Sequence, residues 1–395
     1  MIQVKDQVYY LGLRDWELKE FHGHELSTHH ASSYNSYLIK DEKTVLVDTV
    51  WDHQADAFLE ILDREVNLEK IDFIVVNHAE PDHGGTLGRI LERRPDLPIY
   101  CSTKGAEIIR RHFHKDWNFR TVKTGDTISI GQCELQFVDM TMIHWPDSMM
   151  TFVKGPNVLL SNDAFGQHYA AASIFEDEAD PCTVWQEAEK YYGYILTPFA
   201  PLIRKKLAEV VAMKLPIEVI APSHGVIWRK DPLRIVEKYA QWANDYHEGS
   251  AVVVYDTMYN ATRKMAEAIA RGIESKGVKC KVFNSAVADN SDVVTEMFKA
   301  RGIVVGSCTV NNGCMRSIAG MLEEIHGHKF KNKIGAAFGS YGWSGEAPKK
   351  IYKALEEAGL KMFSDPQSVK YQPETHEIEA CVQFGQDFAD AIKQS

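Results

Sequence analysis

The chain has no Cys-x-x-Cys pair, no long basic block and no apolar run of membrane-spanning length, and each absence removes a class of protein. Its seven cysteines (Cys101, Cys133, Cys182, Cys280, Cys308, Cys314 and Cys381) are odd in number and lack paired spacing. That argues against a disulfide framework and against a thiolate metal site. They read as small buried apolar residues, so a bound metal would take nitrogen and oxygen ligands. The net charge is −11 and Lys and Arg never cluster beyond a few residues. That argues against nucleic acid, whose phosphates need a basic face, and no nucleic-acid partner is expected. No stretch approaches the roughly 18–20 apolar residues of a membrane span. Residues 1–6 lack the charged-then-apolar order of an export signal. A cytoplasmic protein with no membrane partner is expected.

At 395 residues the chain should hold two or three domains, and at 45% hydrophobic against 25% charged it can bury real cores. In the first half, strands are expected at residues 7–13, 34–39, 44–48, 71–76, 98–101, 127–130 and 134–138. Residues 40–43 form a polar hairpin turn. Helical spacing near 55–62, 86–91 and 105–113 suggests sheets packed on each other with helices outside. Residues 235–243 read as a helix and 244–250, polar and ending in Gly-Ser, as a linker. Beyond it, strands at 251–255, 280–283, 302–306 and 334–338 alternate with helices near 261–276, 291–299, 315–326 and 346–358. A last helix covers 375–393. This alternation predicts a parallel sheet with helices on both faces. The expected domains are 1–249 and 250–395.

The stretch that organises the first half is Val75-Val76-Asn77-His78-Ala79-Glu80-Pro81-Asp82-His83-Gly84-Gly85. A β-branched apolar run ends there, and two imidazoles and two carboxylates follow within six residues, a recognised metal signal. Such a turn can face His78 and Glu80 toward one cation and Asp82 and His83 toward another. His144, Asp163 and His224 each lie just after a further apolar run. Taken singly each reads as a turn residue or a satisfied histidine. Together they fall at strand ends of one domain, and strand ends on one edge of a sheet sandwich lie together.

In the second half, Asp256-Thr257-Met258-Tyr259-Asn260-Ala261-Thr262 runs from strand into helix and offers hydroxyls and backbone N–H groups at a helix N-terminus, an anion site. It has neither a Gly-x-Gly-x-x-Gly fingerprint nor a P-loop lysine, so a mononucleotide monophosphate is preferred to NAD or ATP. Two more loops would flank the same crevice: Ser307-Cys308-Thr309-Val310-Asn311-Asn312-Gly313 and Gly339-Ser340-Tyr341-Gly342-Trp343-Ser344-Gly345. Tyr341 or Trp343 would cover a flat ring.

The first-half set resembles the metallo-β-lactamase-like domain of the flavodiiron proteins, and the second half resembles flavodoxin, which binds FMN at its topological switch point. The resemblance covers about residues 3–395. It implies an N-terminal metallo-β-lactamase-like αββα sandwich followed by a flavodoxin-like doubly wound parallel sheet. It further implies two iron ions and FMN. One iron would take His78, Glu80 and His144, the other Asp82, His83 and His224, with Asp163 bridging; not every family member uses the residue matching His83. Related zinc hydrolases carry a histidine where this chain has Glu80, and the extra carboxylate suits iron better. His22 or Tyr191 would line the diiron pocket and supply a proton or hydrogen bond, with His24, His29 and His30 crowding the same loop. His168, His112 and His114 read as structural or exposed.

The implied function is an oxidoreductase that reduces O2 to water, NO to N2O, or both, fed through FMN by an external donor, by analogy rubredoxin. No appended rubredoxin-type module is expected, because it would need paired Cys-x-x-Cys motifs. The family places the FMN of one subunit against the diiron site of another, so a head-to-tail homodimer or a dimer of dimers is expected. The rivals are a zinc hydrolase fused to a flavodoxin domain, a non-catalytic diiron gas sensor, and a coenzyme F420-dependent oxidase.

Overall fold

The structure, a computed structural model, describes residues 1–394. It divides into two compact units. The first comprises Met1–Phe21, Thr28–Tyr191 and Phe199–Ala240; the second comprises His22–Ser27, Tyr192–Pro198 and the chain from Gln241 onward. No helix among the described residues is long and apolar enough to cross a membrane.

The first unit is built on two sheets. One has seven strands in the order Ile2–Lys5, Val8–Tyr10, Tyr37–Lys40, Thr44–Val47, Phe73–Val76, Ile99–Cys101 and Phe119–Thr121. The other has five, in the order Thr127–Ser129, Glu134–Asp139, Met149–Lys154, Val158–Asn162 and Val219–Pro222. Alternate residues of each sheet, such as Val45, Val47 and Val75 from one and Leu135, Phe137 and Leu160 from the other, merge in a single buried core. The period-2 pattern dictates that arrangement.

Strand direction then decides where the loops go. Thr44–Val47 and Phe73–Val76 run parallel, as do Val158–Asn162 and Val219–Pro222. Met149–Lys154 is antiparallel to Val158–Asn162, so the loop before Met149 opens at the end where Asp163 emerges. The Met149 N–H donates to the Asn77 carbonyl at 2.9 Å and ties the two sheets together at that end.

The second unit carries the parallel sheet Cys280–Asn284, Ala251–Asp256, Gly302–Ser307 and Ile334–Tyr341, with Lys361–Met362 and Gln367–Lys370 both beside the last of these. In chain order this is 2-1-3-4-5, with a switch point between the first and third strands, the doubly wound flavodoxin-like order. Helices Ala261–Ser275 and Thr375–Lys393 pack against each other through glycines. A Cβ at Gly272 would meet the Val382 carbonyl at 2.1 Å, and one at Gly385 the Ile269 carbonyl at 2.1 Å.

Strand Met149–Lys154, helices Pro181–Tyr191 and Ala200–Ala212, and strand Gln367–Lys370 were not anticipated from the sequence. The first helix buries Glu187 and Lys190 among its inner residues and the second buries only Ile203, so neither shows a clean apolar stripe. Gln367–Lys370 buries only Val369.

Gly385→Ala should lower the stability of the second unit by about 1–3 kcal/mol, because the added methyl has nowhere to go. Chemical denaturation monitored on that unit would register it, and an unchanged midpoint would contradict the close helix approach.

Candidate metal centre and anion crevice

All seven ligand-type residues named from the sequence meet at one end of the first unit. Asp48 accepts from the Asn77 N–H at 2.7 Å and from its side-chain amide at 3.2 Å, while Thr151 Oγ1 donates to Asn77 Oδ1 at 2.7 Å. These bonds pin the strand end from which His78, Glu80, Asp82 and His83 project. The parallel pair Val158–Asn162 and Val219–Pro222 delivers Asp163 and His224 side by side, and the loop before Met149 delivers His144.

The distances sort the side chains into two sets around one carboxylate. Asp163 Oδ2 lies 3.6 Å from His78 Nε2 and 3.2 Å from His144 Nε2, and Glu80 Oε2 lies 3.0 Å and 3.6 Å from the same two nitrogens. Asp163 Oδ1 lies 2.9 Å from His83 Nε2 and 3.7 Å from His224 Nε2, and Asp82 Oδ2 lies 3.2 Å and 3.0 Å from those. Each set is two imidazoles and one carboxylate, the donor pattern that suits non-haem iron with open positions. Asp163 offers one oxygen to each.

The electrostatics demand cations there. Glu80, Asp82 and Asp163 are all buried, and burying three carboxylates together is costly unless positive charge meets them. Both Asp82 oxygens, both Asp163 oxygens and His83 Nε2 are buried without a well-formed hydrogen bond among the described residues. Burial alone would push His83 down, but the Asp82 and Asp163 charges lift it to about 9. His78, likewise opposed by burial, is lifted well above its ordinary value by hydrogen bonds to Asp147 and Glu80. Burial would raise Asp163, yet the His83 charge and the close approach of the His144 and His83 rings hold it well below the usual carboxylate range. Protons can supply part of the missing charge, and a pair of metal ions supplies it better. The donor set therefore fits two such ions.

Two ring orientations are fixed from behind. Asp147 lies 3.1 and 3.2 Å from His78 Nδ1 and accepts from the Ala79 N–H at 2.7 Å; the Ser33 carbonyl accepts from His224 Nδ1 at 2.7 Å. Both leave Nε2 facing the cluster, the usual support of a metal-ligating histidine. Sequence reasoning named neither partner. Asp147 sits three residues after His144, a signal that was available; a backbone carbonyl leaves none.

His168 is buried, with Nδ1 2.8 Å from Ser32 Oγ and its ring 4.8 Å from that of His224. His112 and His114 are exposed. Tyr191 ends its helix buried, its ring 6.3 Å from His224. Burial first, and then the Asp163 charge, push its phenol well above the ordinary value, so it stays protonated. His22 is exposed at φ 53° and belongs to the second unit.

In the second unit a crevice of about 610 Å³ opens at the C-terminal ends of the sheet. Among the residues expected there, Thr257, Met258, Tyr259, Ala261 and Thr309 line it, as do Ser340, Tyr341, Gly342 and Trp343. Asn260, Thr262, Ser307, Val310, Asn311, Asn312, Gly313 and Gly345 do not line it. Several of these shape the loops instead. Thr262 Oγ1 and Ser340 Oγ are 2.9 Å apart, and the Met315 N–H donates to Ser307 Oγ at 2.9 Å. Asn311 and Asn312, at φ 48° and 57°, form a tight turn closed by paired bonds between Val310 and Gly313. Asn260 is left-handed at φ 64° just before helix Ala261–Ser275. Thr257 Oγ1 is buried with no hydrogen-bond partner among the described residues, a donor beside that helix start that suits a phosphate. Cys308, within the second expected loop, also lines the crevice, as do two residues that were missed, Tyr371 and Gln372. The last two follow the short strand that the sequence pattern did not reveal.

A family model described as "ODP family beta lactamase" matches residues 32–225, and one described as "Flavodoxin" matches residues 253–385. The chain is 48% identical over 393 residues to an anaerobic nitric oxide reductase flavorubredoxin of Klebsiella pneumoniae, covering 98% of this chain and 81% of that protein. It is 47% identical over 392 residues to the protein of the same name from Vibrio vulnificus, covering 98% of this chain and 79% of the relative. Among solved structures, the rubredoxin oxygen:oxidoreductase from the anaerobe Desulfovibrio gigas matches with a TM-score of 0.96 at 35% identity, covering 99% of this chain and 98% of that one. The flavodiiron protein from Giardia intestinalis matches with a TM-score of 0.95 at 30% identity, covering 100% of this chain and 97% of that one. With that similarity running the length of both units, the chain belongs to the flavodiiron protein family.

Proposed function

We propose that this chain is a cytosolic flavodiiron oxidoreductase that reduces O2 to water, NO to N2O, or both, with electrons drawn from a rubredoxin-type donor. The names of its relatives, a nitric oxide reductase and a rubredoxin oxygen:oxidoreductase, support the reaction class. The observation that carries the reading is the Asp163 carboxylate, one oxygen facing His78, Glu80 and His144 and the other facing Asp82, His83 and His224. In this reading domain 1–249 holds two irons on those seven residues, and domain 250–395 holds FMN. When bound, the irons and the flavin supply the electron transfer and the gas-binding positions that no side chain here provides.

The chain's own residues do the rest. Asp147 and the Ser33 carbonyl hold His78 and His224 with Nε2 inward, so the site is preorganised before a metal arrives. Tyr191, protonated and buried near the Asp163, Glu80 and Asp82 charges, is the first candidate to donate a hydrogen bond into the pocket. His22 is the second proton-supply candidate, by family resemblance. Thr257 and the N-terminus of helix Ala261–Ser275 take the flavin phosphate, and Tyr341 and Trp343 take its ring. Glu80 disfavours the zinc hydrolase reading, since it hardens a position that zinc hydrolases fill with imidazole. Assembly as a head-to-tail homodimer or a dimer of dimers belongs to the same reading.

Asp163→Ala should strip both metals, so elemental analysis reads near-zero iron while FMN content stays at the wild-type level; full iron retention would contradict the shared carboxylate. Asp147→Ala should weaken iron binding by about 10- to 100-fold. Removing the Thr257 hydroxyl (Thr257→Ala) should cost about 1.5–3 kcal/mol of FMN binding, roughly ten- to a hundredfold in Kd, read by fluorescence titration of the apoprotein. Sedimentation velocity should find dimers or tetramers, and a monomer with full turnover would refute the assembly.

A further inference from the structure

One cavity in the first unit shares its wall with the cluster loops. It measures about 210 Å³ and lies between the outer face of the five-stranded sheet, at Met150 and Leu159, and the helix Ala200–Ala212 together with the helix that starts at Leu233. Its lining is apolar except for Lys206, Lys214 and Tyr239. At its outer end Val211 and Leu233 are 66% and 53% exposed, so it reaches solvent; at its inner end Ile143 and Ala164 are buried. Ile143 directly precedes His144, and Ala164 and Phe165 directly follow Asp163. The Phe165 N–H donates to the Tyr239 hydroxyl at 2.9 Å and the two rings lie 4.6 Å apart, so the wall is fastened to the loop that carries Asp163.

Size and chemistry narrow what such a cavity can hold. Water needs two to four polar partners, and an apolar lining leaves it few. The volume falls below the roughly 300–1,000 Å³ of pockets that bury drug-sized ligands. It exceeds the roughly 150 Å³ at which an apolar protein cavity holds xenon. A small neutral gas meets both limits.

We propose that this cavity takes up the neutral diatomic substrate, O2 or NO, from solvent and concentrates it against the back of the metal loops. The inference rests on the gas-reducing reading above. The site is distinct from the metal-facing positions: it binds by partition into apolar space, with no polar contact to the gas. Its lining runs from exposed Val211 to buried Ala164, which gives uptake a direction.

The test uses the iron- and FMN-loaded protein. Crystals pressurised with xenon should show it between Leu159 and Ile203, and Leu207→Trp should abolish that density by filling the space. With iron content, FMN content and melting temperature at wild-type values, Leu207→Trp should lower kcat/KM for the gas by about fivefold or more and leave kcat at saturating gas unchanged. Val210→Phe is the second filling variant should Leu207→Trp fold poorly. Empty xenon maps, or filled variants with wild-type kcat/KM, would overturn the proposal. Xenon binding is read without turnover, so failure of the gas-reducing reading is separable: there the wild-type protein itself turns over neither gas.

Discussion

Three carboxylates share one buried spot in this protein, and the first unit is arranged so that they can. Glu80, Asp82 and Asp163 would repel each other strongly in a low-dielectric interior, at a cost that imidazole protons offset only in part. The lifted affinity of His78 and His83 for protons and the depressed affinity of Asp163 describe the same imbalance from either side. A pair of dications removes it. What keeps the carboxylates together while the charge is unmet is the fold: parallel strand pairs that end side by side, and the Asp48–Asn77–Thr151 hydrogen bonds at the mouth of the sandwich.

The second unit uses the same device for the opposite charge. Its strands also end together, but what they present is backbone N–H groups, hydroxyls and the positive end of a helix rather than acids. The orphaned Thr257 hydroxyl is the counterpart of the orphaned Asp163 oxygens, a buried polar atom waiting for a partner of the right charge. Aromatic residues on its rim stay exposed, Tyr259 at 82% and Trp343 at 79%.

Much of this was legible in the sequence because strand ends carry their own signature. The β-branched run into His78 through His83 placed four ligand-type residues by spacing alone, and the strand–helix alternation after residue 250 announced a parallel sheet with helices on both faces, though not its strand order. What stayed hidden has physical causes. Asp147 and the Ser33 carbonyl act by supporting other groups, so their chemistry shows only once His78 and His224 have positions. Helix Pro181–Tyr191 turns Glu187 and Lys190 inward and loses the apolar stripe that marks a helix. Tyr371 and Gln372 follow a four-residue strand with one buried side chain, too short for a period-2 pattern to register. That Asn311 and Asn312 turn their loop through a left-handed backbone is equally invisible in a sequence, where asparagine reads first as a polar side chain.

The central claim is that Asp163 joins two iron ions, one held on the side of His78, Glu80 and His144 and one on the side of Asp82, His83 and His224. Anomalous diffraction from crystals of the purified protein, collected on both sides of the iron absorption edge, tests it directly. The account predicts two iron peaks flanking the Asp163 carboxylate, one within bonding distance of each oxygen. A single peak, or two peaks whose heights do not rise on crossing the iron edge, would contradict it.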